Sequence, residues 1–233
     1  MGADTPASGV ALRARGKVAA PPVGPLVGAP IGRRSATYLQ VKRAGDVVMA
    51  LAGIVMLSPL WFVVAIAIRV TSPGPVFFRQ RRAGQYGVPF VILKFRTMLE
   101  DAEDRLGNVL PLNKQADHSL IRIANDPRVT RIGRWLRALS LDETPQLLNI
   151  LRGEMSIVGP RPISRDINDS RGMARLLAKP GLTGMWQVNG RKDTDCEQML
   201  QLDMQYLEQR SLMLDAGILL KTVPVVLCGR GAR

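Results

Sequence analysis

Between Asp46 and Arg69 the chain runs for 22 residues without a charge, from Val47 to Ile68. As one α-helix this run would be about 33 Å long, close to the hydrocarbon core of a bilayer at roughly 30 Å. A single-pass helix or a buried core helix is the ordinary reading of such a run. Two features point elsewhere. Ser58-Pro59 stands at its middle, where proline removes a backbone donor and crowds the preceding turn, so that each arm reaches only about half the bilayer depth. Both flanks are also basic, with Arg33, Arg34, Lys42 and Arg43 before the run and Arg69, Arg79, Arg81 and Arg82 after it. A crossing helix would leave one cationic flank on the wrong side. A kinked, re-entrant helix hairpin that enters and leaves by the cytoplasmic face satisfies both observations, with the Ser58 hydroxyl answering the carbonyl that Pro59 frees.

The 233 residues leave room for one ordinary domain beside this anchor. A single histidine, His118, and two distant cysteines, Cys196 and Cys228, give no zinc site, no histidine-dependent triad and no disulfide framework, and fit a reducing compartment. Carboxylates must therefore carry any acid, base, nucleophilic or metal chemistry. The net charge of +13 calls for a polyanionic partner. Nucleic acid, anionic lipid headgroups and nucleotide or lipid phosphates all qualify on charge, but aromatics for base stacking are only 5% of the chain, which with the apolar run argues against nucleic acid.

Patterning divides the chain into a disordered basic Gly/Pro/Ala tail over 1–37, a membrane anchor over 38–70 and a cytoplasmic domain over 71–233. Two β-like runs, Val76 to Arg82 and Phe90 to Met98, flank a turn-rich Ala83 to Pro89 and read as a hairpin. Alternation places Lys94 and Arg96 on one face of the second strand, as a solvated face or as a cationic pair on a rigid element. Leu99 to Gly107 reads as a short polar helix, and helical periodicity marks Ile132 to Leu139, Pro145 to Leu151 and 172–178. It returns from Glu197 to Leu227, with an interruption at Pro224 and a C-terminal half apolar enough to lie along a membrane interface. The fold class is α+β: a mostly helical monotopic membrane protein with a short β-hairpin and interfacial amphipathic helices.

The stretch from Arg137 to Asn149 sets Asp142 and Glu143 side by side at a helix entrance. Ser140 and Glu143 have capping-box spacing, with Pro145 at home in the first turn and Thr144 an alternative cap, which is a sufficient structural account of the glutamate. A functional account takes in Asp142 as well: adjacent carboxylates on a turn diverge, one facing a phosphorus and the other helping to hold a divalent cation. Downstream, Arg161 is pinned between Pro160 and Pro162, which suits a phosphate grip or an ordinary surface loop. The run Lys179 to Arg191 adds a glycine-rich loop around Trp186, fit for a uracil ring or a sugar, or simply a packed turn.

Taken together, Gly-Pro-Val-Phe-Phe-Arg-Gln-Arg-Arg, Leu-Lys-Phe-Arg-Thr-Met, Leu-Asp-Glu-Thr-Pro-Gln-Leu-Leu-Asn, Met-Ser-Ile-Val-Gly-Pro-Arg-Pro and Lys-Pro-Gly-Leu-Thr-Gly-Met-Trp-Gln-Val-Asn-Gly-Arg closely resemble the bacterial sugar transferase family in its small, monotopic form. The match runs in order over about 38–233. The resemblance implies transfer of sugar 1-phosphate from a UDP-sugar, galactose or glucose, to undecaprenyl phosphate at the inner membrane, as the first membrane step of exopolysaccharide synthesis. It makes Asp142 the nucleophile, Glu143 its Mg²⁺-associated partner, and Lys94, Arg96, Arg137 and Arg161 contacts for substrate phosphate. Ser58 and Pro59 match the break of a re-entrant anchor, and a homodimer is left open. The chain departs from the family at Thr144, where leucine is usual, and at Gln209 to Met213. A membrane-anchored binding or regulatory protein of the polysaccharide machinery is the alternative.

Overall fold

The computed structural model describes residues 34–109, 111, 123, 125–162, 173–189 and 196–227. Most of the tail, with His118, Arg191 and Cys228, lies outside them. The apolar run lies in a helix α1 (Ala36–Thr71), started by Ser35, whose hydroxyl accepts the Tyr38 amide at 3.2 Å, and ended by Ser72 in extended conformation before Pro73. Pro59 cannot donate to the carbonyl of Val55, and Ser58 Oγ donates to it instead at 2.9 Å. The helix therefore continues through the Ser58-Pro59 position, and the break into the two arms of a helix hairpin expected there does not occur.

Ala50, Ile54, Leu57, Trp61, Val64 and Ile68 recur at helical spacing on one face of α1 and pack against the rest of the protein. The other side is apolar and open: Val48, Val55, Met56, Phe62 and Val70 are 65 to 80% exposed. By length and composition α1 is a candidate membrane helix. Polar side chains tie its N-terminal half down. Arg43 donates to the carbonyls of Ile150 and Leu151 at 2.6 and 2.9 Å, and the buried Asp46 accepts the Ile157 amide at 3.0 Å.

The expected hairpin is present as β1 (Phe77–Ala83) and β2 (Pro89–Phe95), antiparallel, with Phe78 opposite Lys94 and Arg82 opposite Phe90. β2 stops at Phe95 because the chain then leaves β1, and Met98 bridges to Val129. Residues 99–105 form turns instead of a polar helix, followed by a single helical turn α2 (Leu106–Val109). Glu100, Asp101, Glu103 and Asp104 would have stacked like charges at i,i+3 and i,i+4. Helix α3 (Arg131–Ala138) is capped by Thr130, which accepts the Gly133 amide at 2.9 Å; any Cβ on Gly133 would collide with the Thr97 carbonyl.

Helix α4 (Gln146–Leu151) leads into β3 (Ser156–Val158), which pairs in parallel with β4 (Gly181–Thr183). Both strands were expected as loops. At three residues each they are too short for alternation to register, and they meet where a Cβ on Gly181 would collide with the Gly159 amide nitrogen. A 3₁₀ turn Arg175–Leu177 precedes β4, and α5 (Met185–Asn189), α6 (Cys196–Gln209) and α7 (Leu212–Leu227) follow. The break between the last two falls at Arg210-Ser211, with Pro224 inside α7, because Ser211 caps the new helix by accepting the Leu214 amide at 3.2 Å. Met213, Leu220 and Val223 leave α7 with an exposed apolar row.

One apolar cluster gathers Ala50, Phe90, Ile92, Leu147, Ile150, Met155, Val158, Tyr206 and Ile218; a second gathers Val64, Ile68, Phe95 and Leu136. Trp61 touches both, its ring edge-on to Phe95 at 6.1 Å. Asp215 of α7 accepts from Tyr206 at 2.8 Å, Lys42 at 2.8 Å and Tyr38 at 3.3 Å, fastening α6 and α7 to the start of α1. Asn149, fully buried, accepts the Leu93 amide at 3.0 Å and donates to the Val91 carbonyl at 2.7 Å, so that one side chain takes the place of a third strand beside β2. Asn149→Ala orphans both backbone groups, and we expect it to lower stability by about 2–4 kcal/mol in denaturant unfolding of the detergent-solubilised protein.

Candidate active site

The two adjacent carboxylates sit on a sharp turn between α3 and α4. Ser140 is left-handed, with φ of 55°, and the chain then makes the 3₁₀ turn Leu141–Glu143 before Thr144 and Pro145 lead into α4. The capping box does not form. A cap residue needs extended dihedrals, and Ser140 in the left-handed region makes no cap bond to the turn that follows. Thr144 Oγ instead donates back to the Leu141 carbonyl at 2.8 Å. A non-glycine residue at such a φ is uncommon and here reverses the chain within one residue, which puts the acidic turn against β2.

Two elements supply cations to that turn. Lys94 of β2 makes an ion pair with Glu143 at 2.6 Å. Arg137, in the last turn of α3, donates through Nε to Thr97 Oγ1 at 2.9 Å and lies in the field of Asp142 and Asp126. Burial pushes the Asp142 carboxyl up to about 6, with Glu143 adding to the rise and Lys94 and Arg137 opposing it. Asp142 is thus a desolvated carboxylate with cations on two sides.

Next to Glu143 opens a cleft lined by Arg82, Lys94, Gln146, Arg161 and Gln187. Burial and the neighbouring Arg161 both lower the pKa of Arg82, against the attraction of Glu143, so two guanidinium groups approach each other across a place suited to an anion. Arg161 stacks on Trp186, 4.8 Å from the ring centroid. Its backbone is held from behind, its amide by Asp203 at 3.4 Å and its carbonyl by Arg175 at 3.1 Å, and these two form a buried ion pair with each other. The structure therefore brings Asp142, Glu143, Lys94, Arg137 and Arg161 into one neighbourhood.

Arg96 does not join them. With β2 ended at Phe95, its guanidinium donates to the Ser72 carbonyl at 2.7 Å and to the Pro73 carbonyl, closing the end of α1. Lys94 and Arg96 thus engage different partners instead of projecting as a pair. Ser58 and Pro59 lie in α1, engaged as described. Arg82, Gln146 and Gln187 were missed as site residues. Arg82 shares a hairpin face with Lys94, which follows from the pairing register and from nothing in the linear pattern.

Among the described residues no group of three or more metal-ligating side chains is gathered. Two hard carboxylates nevertheless fit Mg²⁺, which binds through one or two carboxylates and takes its remaining oxygens from substrate phosphates and water. Glu143 would give up Lys94 to serve in this way.

Residues 37–229 match the family model described as bacterial sugar transferase. The chain belongs to the bacterial sugar transferase family. It is 42% identical over 197 residues to the exopolysaccharide production protein ExoY of Rhizobium meliloti, covering 82% of this chain and 87% of that one. Against the UDP-glucose:undecaprenyl-phosphate glucose-1-phosphate transferase of Caulobacter vibrioides it is 44% identical over 199 residues, covering 80% of this chain and 69% of the relative. The undecaprenyl-phosphate galactose phosphotransferase of Salmonella typhimurium is 38% identical over 211 residues, 87% of this chain but 43% of that longer protein.

The raised pKa of Asp142 has a consequence for stability. In the folded chain the carboxyl keeps its proton to about pH 6, whereas its ordinary value is 3.8, so its ionisation destabilises the fold progressively as pH rises between the two. Asp142→Asn removes that penalty. In metal-free buffer we expect the variant to melt higher than the parent at pH 7.5, by up to about 3 kcal/mol, and the difference to vanish below pH 4.

Proposed function

We propose that the chain transfers a hexose 1-phosphate, of glucose or galactose, from its UDP-sugar to undecaprenyl phosphate, with Asp142 as nucleophile. The observation that carries the reading is the desolvated Asp142 on its turn, between Lys94 and Arg137 and beside the Arg82–Arg161 cleft, next to a helix with an open apolar face. The printed functions of the Caulobacter and Salmonella relatives support the substrate classes.

In the first half-reaction a carboxylate oxygen of Asp142 attacks the sugar-bearing phosphorus. The bond from that phosphorus to the bridging oxygen breaks, UMP leaves, and a phosphosugar remains on Asp142. In the second, an oxygen of undecaprenyl phosphate attacks the same phosphorus, the bond to Asp142 breaks, and the lipid diphosphate sugar departs. Each attack sets an anion against an anion. Arg82 and Arg161 hold the diphosphate and spread its charge, Lys94 neutralises Glu143 when no substrate is present, and Arg137 faces the charge that develops at Asp142. Glu143 would hold Mg²⁺ with the diphosphate oxygens, and the ion would supply further charge neutralisation there. The covalent route spares the site from aligning a water-soluble nucleotide sugar and a membrane lipid at the same moment.

The topology that goes with this chemistry is re-entrant, with 38–70 as anchor and 71–233 on the cytoplasmic side of the inner membrane. Its support is that both ends of α1 dock on one body: Arg43 and Asp46 on α4 and β3, and Ile68 on α3 and β2. A helix that crossed the bilayer could not keep both. In a variant with serine at Cys196 and Cys228, single cysteines at Gln40 and Thr71 are expected to react with an impermeant maleimide from the same, cytoplasmic side; labelling from opposite sides would refute the topology.

The reaction itself is read by intact-protein mass after incubation with Mg²⁺ and UDP-glucose or UDP-galactose in the absence of lipid acceptor. We expect the parent to gain the mass of one hexose phosphate with one of the donors, to lose it on addition of undecaprenyl phosphate, and Asp142→Asn to gain none. UMP release by Asp142→Asn at the parental rate would sink the assignment.

A further inference from the structure

A hydrogen bond links the apolar helix α1 to the acidic turn, beside the packing of Leu141 against the cluster of Val64 and Ile68. Trp61 Nε1 donates to Thr144 Oγ1 at 2.9 Å, and the same hydroxyl donates onward to the Leu141 carbonyl at 2.8 Å. The Thr144 amide also reaches that carbonyl, at 3.2 Å. Leu141 opens and Glu143 closes the 3₁₀ turn that bears Asp142; besides the Glu143 amide bond to the Ser140 carbonyl at 3.3 Å, two bonds that close the turn converge on the Leu141 carbonyl, and one of them passes through a hydroxyl held from α1. We infer that Trp61 and Thr144 are positioning residues for Asp142, a two-bond relay through which the anchor helix sets the attack geometry of the nucleophile. The inference rests on the transfer reading above.

Three observations give the relay its direction. The indole meets Phe95 in a T-shaped pair and packs against both apolar clusters, so the direction of its N–H is set by packing. Phe95 belongs to β2, the strand that also carries Lys94, the partner of Glu143, so the indole rests on the element that brings the cation to the turn. Trp61 also lies two residues beyond Pro59, on the C-terminal side of the point where the α1 backbone bonding is interrupted. The hydrogen bond adds a polar link to the apolar contact that Leu141 makes with the cluster of Val64 and Ile68. Thr144 uses its hydroxyl as acceptor and donor at once, an arrangement valine cannot reproduce and serine can. A group that must sit within a fraction of an ångström of a phosphorus loses rate when its turn loosens, even where the overall fold is unaffected.

The test compares Thr144→Val, Thr144→Ser, Trp61→Phe and the double variant Trp61→Phe/Thr144→Val with the parent, in detergent with Mg²⁺ and whichever of UDP-glucose and UDP-galactose the parent accepts. The rate of hexose phosphate gain at saturating donor and the donor concentration at half-rate are both read by intact mass. A positioning role predicts a rate about tenfold lower for Thr144→Val and for Trp61→Phe, with half-saturation within about twofold of the parent. The double variant should be no slower than either single one, because both break the same relay, and Thr144→Ser should return to within about twofold of the parent. Equal rates in parent and Thr144→Val, or losses that multiply in the double variant, overturn the relay while leaving the transfer reading intact. A parent that gains no mass with either donor overturns the transfer reading, and the relay falls with it. Should Trp61→Phe fail to fold, the valine–serine comparison at Thr144 decides alone.

Discussion

The face of α1 that carries Ala50, Ile54, Leu57, Trp61, Val64 and Ile68 is the surface on which both apolar clusters close. Without it, α4, the hairpin and α3 would have no common wall. The same helix shows its other side, apolar from Val48 to Val70, to the surroundings. A helix that is hydrophobic all round is stable only if every face is taken out of water. Here one face is covered by protein, and the exposed one suits lipid. Burial of Asp46 and the reach of Arg43 into the end of α4 tie this apolar packing to specific backbone atoms.

The acidic turn inherits its properties from that packing. Desolvation of Asp142 raises the energy of its charged form, and an uncompensated carboxylate there would simply stay protonated. Lys94 and Arg137, arriving from β2 and α3, work against the rise. The balance leaves a carboxylate that is less well solvated than one in water yet still surrounded by positive charge. On the far side of Glu143, burial and then the nearby Arg161 work against the charge on Arg82, a cost that an anion in the cleft would reduce. Held on its back by Asp203 and Arg175 and stacked on Trp186, Arg161 has little freedom left to lose on binding.

Much of the architecture was legible in linear terms. The long apolar helix, the β-hairpin, α3 and α4 all follow from long or strongly periodic patterns, whereas the break into two arms expected at Ser58-Pro59 is absent, because the Ser58 hydroxyl answers the Val55 carbonyl and the helix runs on. What failed did so for identifiable reasons. β3 and β4 are too short to show a period and depend on glycine contacts between distant segments. The last helices divide at Ser211 because a serine cap competes better than a proline that a helix exposed on one side can absorb. The polar helix at 99–105 was defeated by repulsion among its own carboxylates.

Residue types and hydropathy alone determined that this chain carries one long apolar helix, a net positive charge, and carboxylates as its candidate reactive groups, since it has neither the histidines nor the cysteines for other chemistry. Those are properties of composition and local order. Which cations stand around the acidic turn was decided only in three dimensions. Register placed Arg82 on the same hairpin face as Lys94, the end of β2 at Phe95 sent Arg96 to the Ser72 and Pro73 carbonyls, and the left-handed Ser140 undid a capping box and turned Asp142 toward its neighbours. Electrostatic convergence depends on distances between segments far apart in the chain, and one backbone angle or one step of register is enough to redirect it.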